Sequence, residues 1–295
     1  MNYRRLLKTD LKIGAISFGC MSLGLDHKEN SSLLNKALDS GINYFDTADL
    51  YQKGENEITV GKAFRGKRKE VIIATKVGNQ LRQDGSGWDW NPTKDYILSA
   101  VEESLKRLQT DYIDLYQLHG GTIDDPIEEV IEAFEILKEQ GKIRHYGISS
   151  IRPNVIREWV KCSEMVSVMM QYSLLDRRPE ESCLPLLLEN KIGVMARGVL
   201  AKGLLAGKPS TGYLGYKDDQ IQQVMDLIGS FGRTPMEAAI MYVLSSKSVA
   251  TAVIGLRSME QLKKVIEVTK SPEMTQDEIS KFNEITKAEL YGEHR

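Results

Sequence analysis

The stretch GINYFDTADLYQKGENEITVGKAFRGKRKEVIIATKVG, residues 41–78, holds the pattern that decides the fold. Two short, mostly apolar runs at 43–47 and 71–76 flank a longer stretch with helical periodicity. A strand, a helix and a second strand in this order are typical of a parallel β-sheet with a crossover helix. The second run, VIIATK, is apolar almost throughout, which predicts a strand that is buried on both faces.

The same alternation extends towards both ends of the chain. Six more strand-like runs lie at 13–18, 112–118, 145–149, 167–172, 193–196 and 250–254, which brings the total to eight. Eight strand–helix units in 295 residues favour a closed parallel barrel over an open, doubly wound sheet. We therefore predict an α/β fold, the TIM (β/α)8 barrel, with residues 1–295 as a single domain.

Helix boundaries are predicted from residues that typically start or stop a helix. Residues 31–40 predict a helix that is stopped by Gly41. Asn91 is expected to cap the next helix, with Pro92 at its first position. An Asp-Pro pair at 125–126 predicts the start of another helix in the same way.

Two stretches, 78–91 and 207–217, are rich in turn residues and predict neither strand nor helix. Both follow strands, so they are expected at the C-terminal face of the barrel, where TIM-barrel active sites lie. An ordinary surface loop is the alternative for each. For the first stretch we predict substrate contact, because it carries two tryptophans. Pocket shape is expected to depend on Met21, Trp88, Trp90, Tyr213 and Tyr216.

Composition argues against several classes of function. Lys and Arg number 39 and Asp and Glu 41, so the formal net charge is −2, and neither nucleic acid nor a membrane surface is an expected partner. Apolar runs are shorter than the roughly 18 residues of a membrane helix, and no signal peptide is recognisable. The three cysteines are far apart and form no CxxC pair. Together these features predict a cytoplasmic protein.

Four polar residues lie near the ends of three neighbouring predicted strands. Asp46 ends the second strand, Tyr51 follows it, Lys76 ends the third strand and His119 follows the fourth. A charged residue at a buried strand end is costly unless it is paired, so a local ion pair would explain any one of them. Four together, on the face where barrel enzymes work, indicate a catalytic site.

These four side chains together suit a general acid for carbonyl reduction. A free tyrosine has a pKa of about 10. The Lys76 ammonium is expected to lower the pKa of Tyr51 by stabilising the phenolate, while Asp46 holds Lys76 in place. His119 is expected to hydrogen-bond a substrate carbonyl oxygen.

Other ligand motifs do not fit the chain. The sequence has only four histidines, scattered along its length, so no metal site is predicted. There is no GxGxxG fingerprint for a dinucleotide. The stretch GLLAGKPS at 203–210 fails as a P-loop in both its glycine spacing and its final residues. A nucleotide cofactor would need a different binding device.

Over essentially its whole length the chain resembles the aldo-keto reductase superfamily, and most closely its branch of bacterial general stress reductases and potassium-channel β-subunits. The resemblance is carried by residues 41–78, by SLKRLQTDYIDLYQLH at 104–119 and by ATAVIGLRSMEQL at 250–262. It implies a catalytic tetrad in which Tyr51 is the general acid, Lys76 and Asp46 lower its pKa, and His119 orients the carbonyl. It also implies hydride transfer from C4 of a nicotinamide to the carbonyl carbon of a small-molecule substrate.

The resemblance further implies that NADPH lies across the C-terminal mouth of the barrel. Ser149 and Gln171 match positions that hold the nicotinamide carboxamide. Arg257 is the candidate for the 2′-phosphate, because a guanidinium forks onto phosphate oxygens. The implied cofactor-binding residues are Met21, Asp46, Ser149, Ser150, Gln171, Arg197, Gly198, Val199, Leu200, Lys202, Gly203, Gly255, Leu256, Arg257 and Gln261.

The chain departs from the family pattern at positions outside the tetrad. Ser150 stands where Asn is frequent, and Lys264 and Val265 replace an acidic–amide pair that commonly reads adenine. Arg197 replaces a stacking aromatic residue. Its positive charge would favour the neutral, reduced nicotinamide over the cationic, oxidised ring.

Two alternatives to an aldehyde and ketone reductase stay open at this point. A cofactor-binding regulatory or redox-sensing subunit would keep the fold and the tetrad but turn over little, as channel β-subunits do. A barrel aldolase or isomerase would use Lys76 as a Schiff base, but that mechanism leaves Tyr51 and Arg257 without a role.

Overall fold

A computed structural model of the protein describes residues 1–210, 212–286, 288 and 290–295. The strands are β1 Tyr3–Arg5, β2 Lys12–Gly14, β3 Ile16–Gly19, β4 Tyr44–Asp46, β5 Ile72–Val77, β6 Asn79–Leu81, β7 Trp88–Trp90, β8 Ile113–Leu118, β9 Ile143–Ser149, β10 Ser167–Gln171, β11 Gly193–Arg197 and β12 Val249–Gly255. The α-helices are α1 His27–Asp39, α2 Glu55–Ala63, α3 Lys94–Leu108, α4 Ile127–Glu139, α5 Pro153–Cys162, α6 Cys183–Glu189, α7 Asp218–Ser230, α8 Pro235–Ser245, α9 Met259–Val268 and α10 Gln276–Ile285.

Eight parallel strands close into a barrel in the order β10-β11-β12-β3-β4-β5-β8-β9. The predicted TIM barrel is therefore confirmed, and each predicted strand run corresponds to one barrel strand. Closure is made by β12 and β3, which pair in parallel from Ala252 opposite Ile16 to Gly255 opposite Gly19. The last and first barrel strands thus depend on each other for their hydrogen bonds.

The predicted first strand at 13–18 is wrong in one respect. Ile13 belongs to β2, which pairs antiparallel with β1, and the barrel strand starts only at Ile16. The strand is interrupted at Ala15, whose N–H donates to the carbonyl of Asn2 at 2.8 Å. Apolar residues continue across this break, so their pattern does not reveal it.

The stretch 78–91 was predicted to lack regular structure, but it contains an antiparallel hairpin of β6 and β7. Asn91 is not the cap of the next helix. The cap of α3 is Thr93, whose hydroxyl accepts from the Tyr96 N–H at 3.4 Å. Asn91 instead accepts a hydrogen bond from the Thr93 hydroxyl, so the helix starts two residues later than predicted.

The two other predicted helix ends have mixed outcomes. Helix α1 starts at His27 with Asp26 as its cap, earlier than predicted, and Gly41 lies just beyond its end with φ +94°. That left-handed conformation explains why a glycine stops the helix there. Helix α4 does start after the Asp-Pro pair, but Asp125 does not cap it.

The core has two layers, one inside the barrel and one between the barrel and the helices. Inside the barrel, buried side chains include Tyr44, Leu115, Met169 and Met195. The outer layer is the larger one and buries one stripe of the surrounding helices. Each fully buried large apolar side chain contributes up to about 1.5–3 kcal/mol to folding, so the strand ends at the mouth are held by a rigid frame.

The structure also bears on cysteines, metals and membranes. Cys20 and Cys183 are buried, Cys162 is exposed, and all three are free. Among the described residues no group of His, Cys, Asp and Glu is arranged to hold a metal ion. Within those same ranges, every helix is too short or too polar to cross a membrane.

Candidate active site

Hydrogen bonds between neighbouring strands continue past the strand ends and place the four candidate catalytic residues. The N–H of Thr47, next to Asp46, donates to Ala74 O at 2.9 Å, and the His119 N–H donates to Val77 O at 2.7 Å. These bonds align the ends of β4, β5 and β8 at one rim of the barrel. Tyr51 opens a short 3-10 turn that follows β4, so its side chain reaches the same rim.

The structure brings the four side chains into one cluster around Lys76. Lys76 Nζ donates to Asp46 Oδ2 at 2.7 Å and to the carbonyl oxygen of Thr47 at 2.6 Å, and lies 3.4 Å from Tyr51 Oη. Lys76 is only 1% exposed and Asp46 only 4%. The rings of Tyr51 and His119 meet edge to face, with centroids 5.8 Å apart. A buried ammonium is thus held between a carboxylate and a phenol.

Burial dominates the pKa values of this cluster. It raises the pKa of Tyr51 above its usual value, and the opposing effect of the Lys76 ammonium does not reverse the rise. The prediction that the Tyr51 pKa is lowered is therefore wrong, although the Lys76 ammonium acts in the predicted direction. Burial opposes the charge of Lys76, but Asp46 and Tyr51 outweigh it and raise the pKa of the ammonium. Tyr51 is accordingly a protonated phenol beside a charged lysine at neutral pH.

His119 is electrically neutral at physiological pH. Burial, together with the charges of Lys76 and Arg197, lowers the pKa of its imidazole to about 3. Its Nδ1 is buried and has no hydrogen-bond partner among the described residues. A neutral imidazole can donate one hydrogen bond but carries no readily transferable proton. Of the two rings at the rim, only Tyr51 is therefore suited to give up a proton.

Two of the predicted cofactor-binding residues, Gln171 and Arg197, are neighbours across β10 and β11. Arg197 Nη1 donates to Gln171 Oε1 at 3.3 Å. Ser149 ends β9 beside β10 and is half-buried. The hydroxyl of Ser150 is directed elsewhere, because it accepts from the Arg152 N–H at 3.2 Å and the residue is 5% exposed. Ser149, Gln171 and Arg197 thus share one side of the mouth.

The predicted segment 198–203 forms an unusual turn after β11. Gly198, Ala201, Lys202 and Gly203 all have positive φ, between +45° and +98°, a conformation that is rare for residues other than glycine. The side chains of two other predicted contacts in the loops, Val199 and Leu256, are 1% and 2% exposed. Neither residue is thus open to solvent, while Leu200 is half-buried.

Residues 255–261, from the end of β12 to the first turn of α9, form an arm that carries Arg257. Ser258 caps α9 by accepting from the Gln261 N–H, and Gln261 Oε1 accepts from the Arg257 N–H at 2.9 Å. The exposed Arg257 guanidinium makes no hydrogen bond or ion pair within the described ranges of the chain. A β-carbon on Gly255 would lie 2.5 Å from Ser22 Oγ, so this arm passes close to the loop that carries the exposed Met21.

Sequence reasoning assigned no role to Asp125 at the site. Trp90 Nε1 donates to Asp125 Oδ1 at 2.9 Å, which ties the β6–β7 hairpin to the loop after β8. The same indole packs on backbone beside the tetrad, because a β-carbon on Gly78 would lie 2.6 Å from its ring, and one on Gly120 3.5 Å. Trp90 therefore borders the cluster, whereas Trp88 is 49% exposed. In the sequence, only Gly78, two residues after Lys76, and Gly120, directly after His119, are compatible with such a close approach.

The second predicted loop, 207–217, also reaches the site. Tyr213 is 8% exposed, and its Oη lies 3.4 Å from Gln171 Nε2. Tyr216 is half-buried and pairs with Tyr213 through an isolated β-bridge. Thr211, in the same loop, lies outside the described residues.

Two cavities flank the barrel. An apolar cleft of about 450 Å³ lies between residues 205–207, the start of α8, and Lys264, Glu267 and Val268 of α9. A larger cavity of about 700 Å³ lies at the opposite end of the barrel, beneath the N-terminal hairpin. The larger one is lined by none of the predicted site residues, and the smaller one by none of the predicted cofactor-binding residues, although it includes Lys264 of α9.

Comparison with known proteins agrees with this fold. Residues 11–287 match the model of the aldo/keto reductase family. The oxidoreductase YqkF of Bacillus subtilis is 47% identical over 306 residues, which cover all of both chains. The holo form of aldo-keto reductase AKR11C1 from Bacillus halodurans is 49% identical and superposes with a TM-score of 0.97, covering 100% of this chain and 99% of that one. The chain therefore belongs to the aldo/keto reductase family and is an oxidoreductase.

One further relative names its cofactor. The aldo-keto reductase yakc of Schizosaccharomyces pombe, whose name specifies NADP(+), is 36% identical over 205 residues, or 66% of this chain and 60% of that protein.

The apo form of AKR11C1 superposes on this chain with a TM-score of 0.88, below the value for the holo form. The chain thus has a conformation closer to that of the holo relative.

Proposed function

We propose that this protein reduces small aldehydes and ketones to alcohols with NADPH, and that Tyr51 donates the proton. The observation that carries the proposal is the buried Lys76 ammonium between Asp46 Oδ2 and Tyr51 Oη. A cation at this position stabilises the negative charge that develops on the phenol oxygen as the proton leaves. Asp46 keeps the ammonium charged and oriented, because burial would otherwise favour its neutral form.

The steps assigned to the residues follow from their protonation states. The neutral His119 donates a hydrogen bond to the carbonyl oxygen and orients it towards Tyr51. As negative charge develops on that oxygen, Tyr51 gives it a proton, and Lys76 stabilises the resulting phenolate. Trp90 excludes water from one side of the cluster. The chemistry expected of bound NADPH is delivery of a hydride from nicotinamide C4 to the carbonyl carbon.

The mouth of the barrel fits such a cofactor. The turn at 198–203 exposes backbone in left-handed conformations that can approach a pyrophosphate closely. The exposed guanidinium of Arg257, just before the N-terminus of α9, suits a phosphate because the helix dipole adds to its charge. The apolar cleft of about 450 Å³ lies further along the same helix and is suited to an adenine ring. Val265 is fully buried and Lys264 pairs with Glu260 at 2.7 Å, so neither replaces the missing adenine-reading pair.

We also propose that residues 1–295 act as one catalytic domain. The barrel is closed by the pairing of β12 with β3, and Lys76 and His119 come from strands on the other side of the ring. Neither half of the chain can close the barrel alone.

The proton-donor role is tested by following NADPH oxidation with a reactive aromatic aldehyde. We expect the parent to turn over, and Tyr51→Phe to lose about 10²- to 10⁴-fold in kcat while it still binds NADPH. Tyr3→Phe is the matched control, since it removes a phenol at the opposite end of the barrel. A Tyr51→Phe protein as active as the parent would contradict the proposal. A parent that binds NADPH but reduces none of the aldehydes would favour the regulatory subunit.

The cofactor assignment is tested with Arg257→Leu. A lost charge-assisted contact to a phosphate is expected to weaken NADPH binding about 10- to 100-fold. NADH lacks the 2′-phosphate, so its affinity should change little. Lys106→Met is the control, because it removes an exposed cation of α3 that is already paired with Glu103. Equal losses for NADPH and NADH in Arg257→Leu would contradict a 2′-phosphate contact.

A further inference from the structure

The Gln171 side chain is held at both ends by charged groups. Its Oε1 accepts from Arg197 Nη1 at 3.3 Å, and its Nε2 donates to Asp176 Oδ2 at 2.7 Å. Nε2 also lies 3.4 Å from Tyr213 Oη. Gly198, with φ +70°, packs against this side chain, since a β-carbon there would lie 3.1 Å from Gln171 Cγ. An amide at the rim of the barrel is thus fixed in position.

The chemistry of its two neighbours also fixes which way the amide points. A guanidinium has only donors and a carboxylate only acceptors. The amide oxygen must therefore face Arg197, and the nitrogen must face Asp176. A flipped amide would set N–H against N–H at one end and oxygen against oxygen at the other. In the observed orientation Oε1 keeps a second lone pair for a ligand, while the Nε2 proton not used by Asp176 is donated to Tyr213 Oη at 3.4 Å.

Asp176 is itself rigidly anchored. It is 3% exposed and accepts from Arg178 Nε at 2.8 Å and Nη2 at 2.7 Å, a two-pronged ion pair. A tight turn brings it back towards the barrel, because Ser173 and Asp176 exchange both of their backbone hydrogen bonds. The Arg178 guanidinium in turn lies 5.1 Å from the ring centroid of Tyr291 in the C-terminal segment. The anchor therefore extends from the C-terminus to the mouth.

We propose that Asp176 is a positioning residue of the cofactor site, which acts by locking the Gln171 amide in the orientation that receives the nicotinamide carboxamide. Arg178 and Tyr291 hold Asp176 in turn. This inference rests on the proposed nicotinamide site. It adds that carboxamide recognition depends on a carboxylate that need not touch the cofactor.

The test measures dissociation constants for NADPH by fluorescence titration in the parent and in Asp176→Asn. An amide at 176 can either accept from or donate to Gln171, so only the 3.3 Å contact with Arg197 still favours the observed orientation, and NADPH binding is expected to weaken about tenfold. The matched control is Glu278→Gln, which removes a carboxylate charge from another partly buried, two-pronged pair with Arg233. Each variant loses the charge of one ion-pair partner, so both should have a lower Tm. Only Asp176→Asn should also lose affinity for NADPH, because Glu278 does not contact Gln171.

A double-mutant cycle then shows whether Asp176 acts through Gln171. In a Gln171→Leu background, Asp176→Asn should weaken NADPH binding no further. Should Asp176→Asn fail to fold, Arg178→Gln removes the anchor instead and is expected to weaken binding in the same direction. Unchanged affinity in the folded variant, or a full tenfold effect in the Gln171→Leu background, would overturn the positioning role alone. A parent that binds neither NADPH nor NADH would overturn the proposed function as well.

Discussion

Asp49 is a buried carboxyl in the loop that joins Asp46 to Tyr51, and its replacement by asparagine should stabilise the protein more as the pH rises. Asp49 is 7% exposed, and its Oδ1 has no hydrogen-bond partner among the described residues. Burial, with the nearby carboxylate of Glu57, raises its pKa to about 8, although Arg107 and Lys76 oppose the shift. The folded protein therefore holds a proton on Asp49 at neutral pH, whereas the unfolded chain does not.

The magnitude follows from proton linkage. The ordinary pKa of this carboxyl is 3.8, so between about pH 4 and pH 8 the folded state binds one more proton than the unfolded state. Stability then falls by up to about 1.4 kcal/mol for each pH unit in this window. Asparagine removes the linkage. The free energy of unfolding of Asp49→Asn minus that of the parent should therefore rise by up to about 4 kcal/mol from pH 5 to pH 8 and then level off.

The assay is urea unfolding of parent and variant at several pH values between about 5 and 9. The difference between the two proteins cancels other groups, such as His119, which titrate in both. Asp219→Asn is the control, because Asp219 is an exposed aspartate at the start of α7 and its difference from the parent should be flat. A flat difference for Asp49→Asn across the same range would refute the argument that Asp49 is protonated in the fold.

Three further substitutions test other contacts of the site. Lys76→Met leaves Asp46 buried without its partner, so the free energy of unfolding in urea should fall by about 3–5 kcal/mol, and kcat should fall as well. An unchanged free energy of unfolding would argue against the ion pair. Trp90→Phe loses the bond to Asp125 and should raise the KM for aldehydes by about 3- to 10-fold with little change in kcat, and an equal fall in kcat would contradict this. Gly78→Ala places a methyl group 2.6 Å from the Trp90 ring at φ +122°, so Tm should fall by an amount that reflects about 1–3 kcal/mol.

The barrel strands were predictable because their signal is local. A run such as VIIATK at 71–76 is apolar on both faces, and only a doubly covered parallel strand buries both. The interruption at Ala15 was not predictable, because the apolar residues on both of its sides are buried. Ile13 of β2 is buried as part of the antiparallel hairpin with β1, and the residues from Ile16 onwards are buried as part of the barrel. The hairpin of β6 and β7 was hidden for a related reason. Its strands are three residues each, and only Asn79 among them is buried, so no alternation develops.

The site was predictable to the extent that it consists of strand ends. Asp46, Lys76 and His119 stand at the C-terminal ends of adjacent strands, and parallel strands in a barrel bring such ends together. Asp176 and Asp125 have no comparable signal. Asp125 contacts Trp90 of the β6–β7 hairpin, and Asp176 turns back onto Gln171 at the end of β10, so both contacts depend on how the chain folds beyond the strand ends.

The pKa of Tyr51 shows where reasoning from residue types stops. The sequence names a lysine near the phenol and so predicts the pairwise attraction, which lowers the pKa. Desolvation acts in the opposite direction and depends on how deeply the fold buries the ring, and here it is the larger effect. The same burial lowers the pKa of His119 to about 3. Because the two shifts are opposite in sign, Tyr51 keeps its proton and His119 lacks a second one, and this difference is the reason why we propose Tyr51 as the acid.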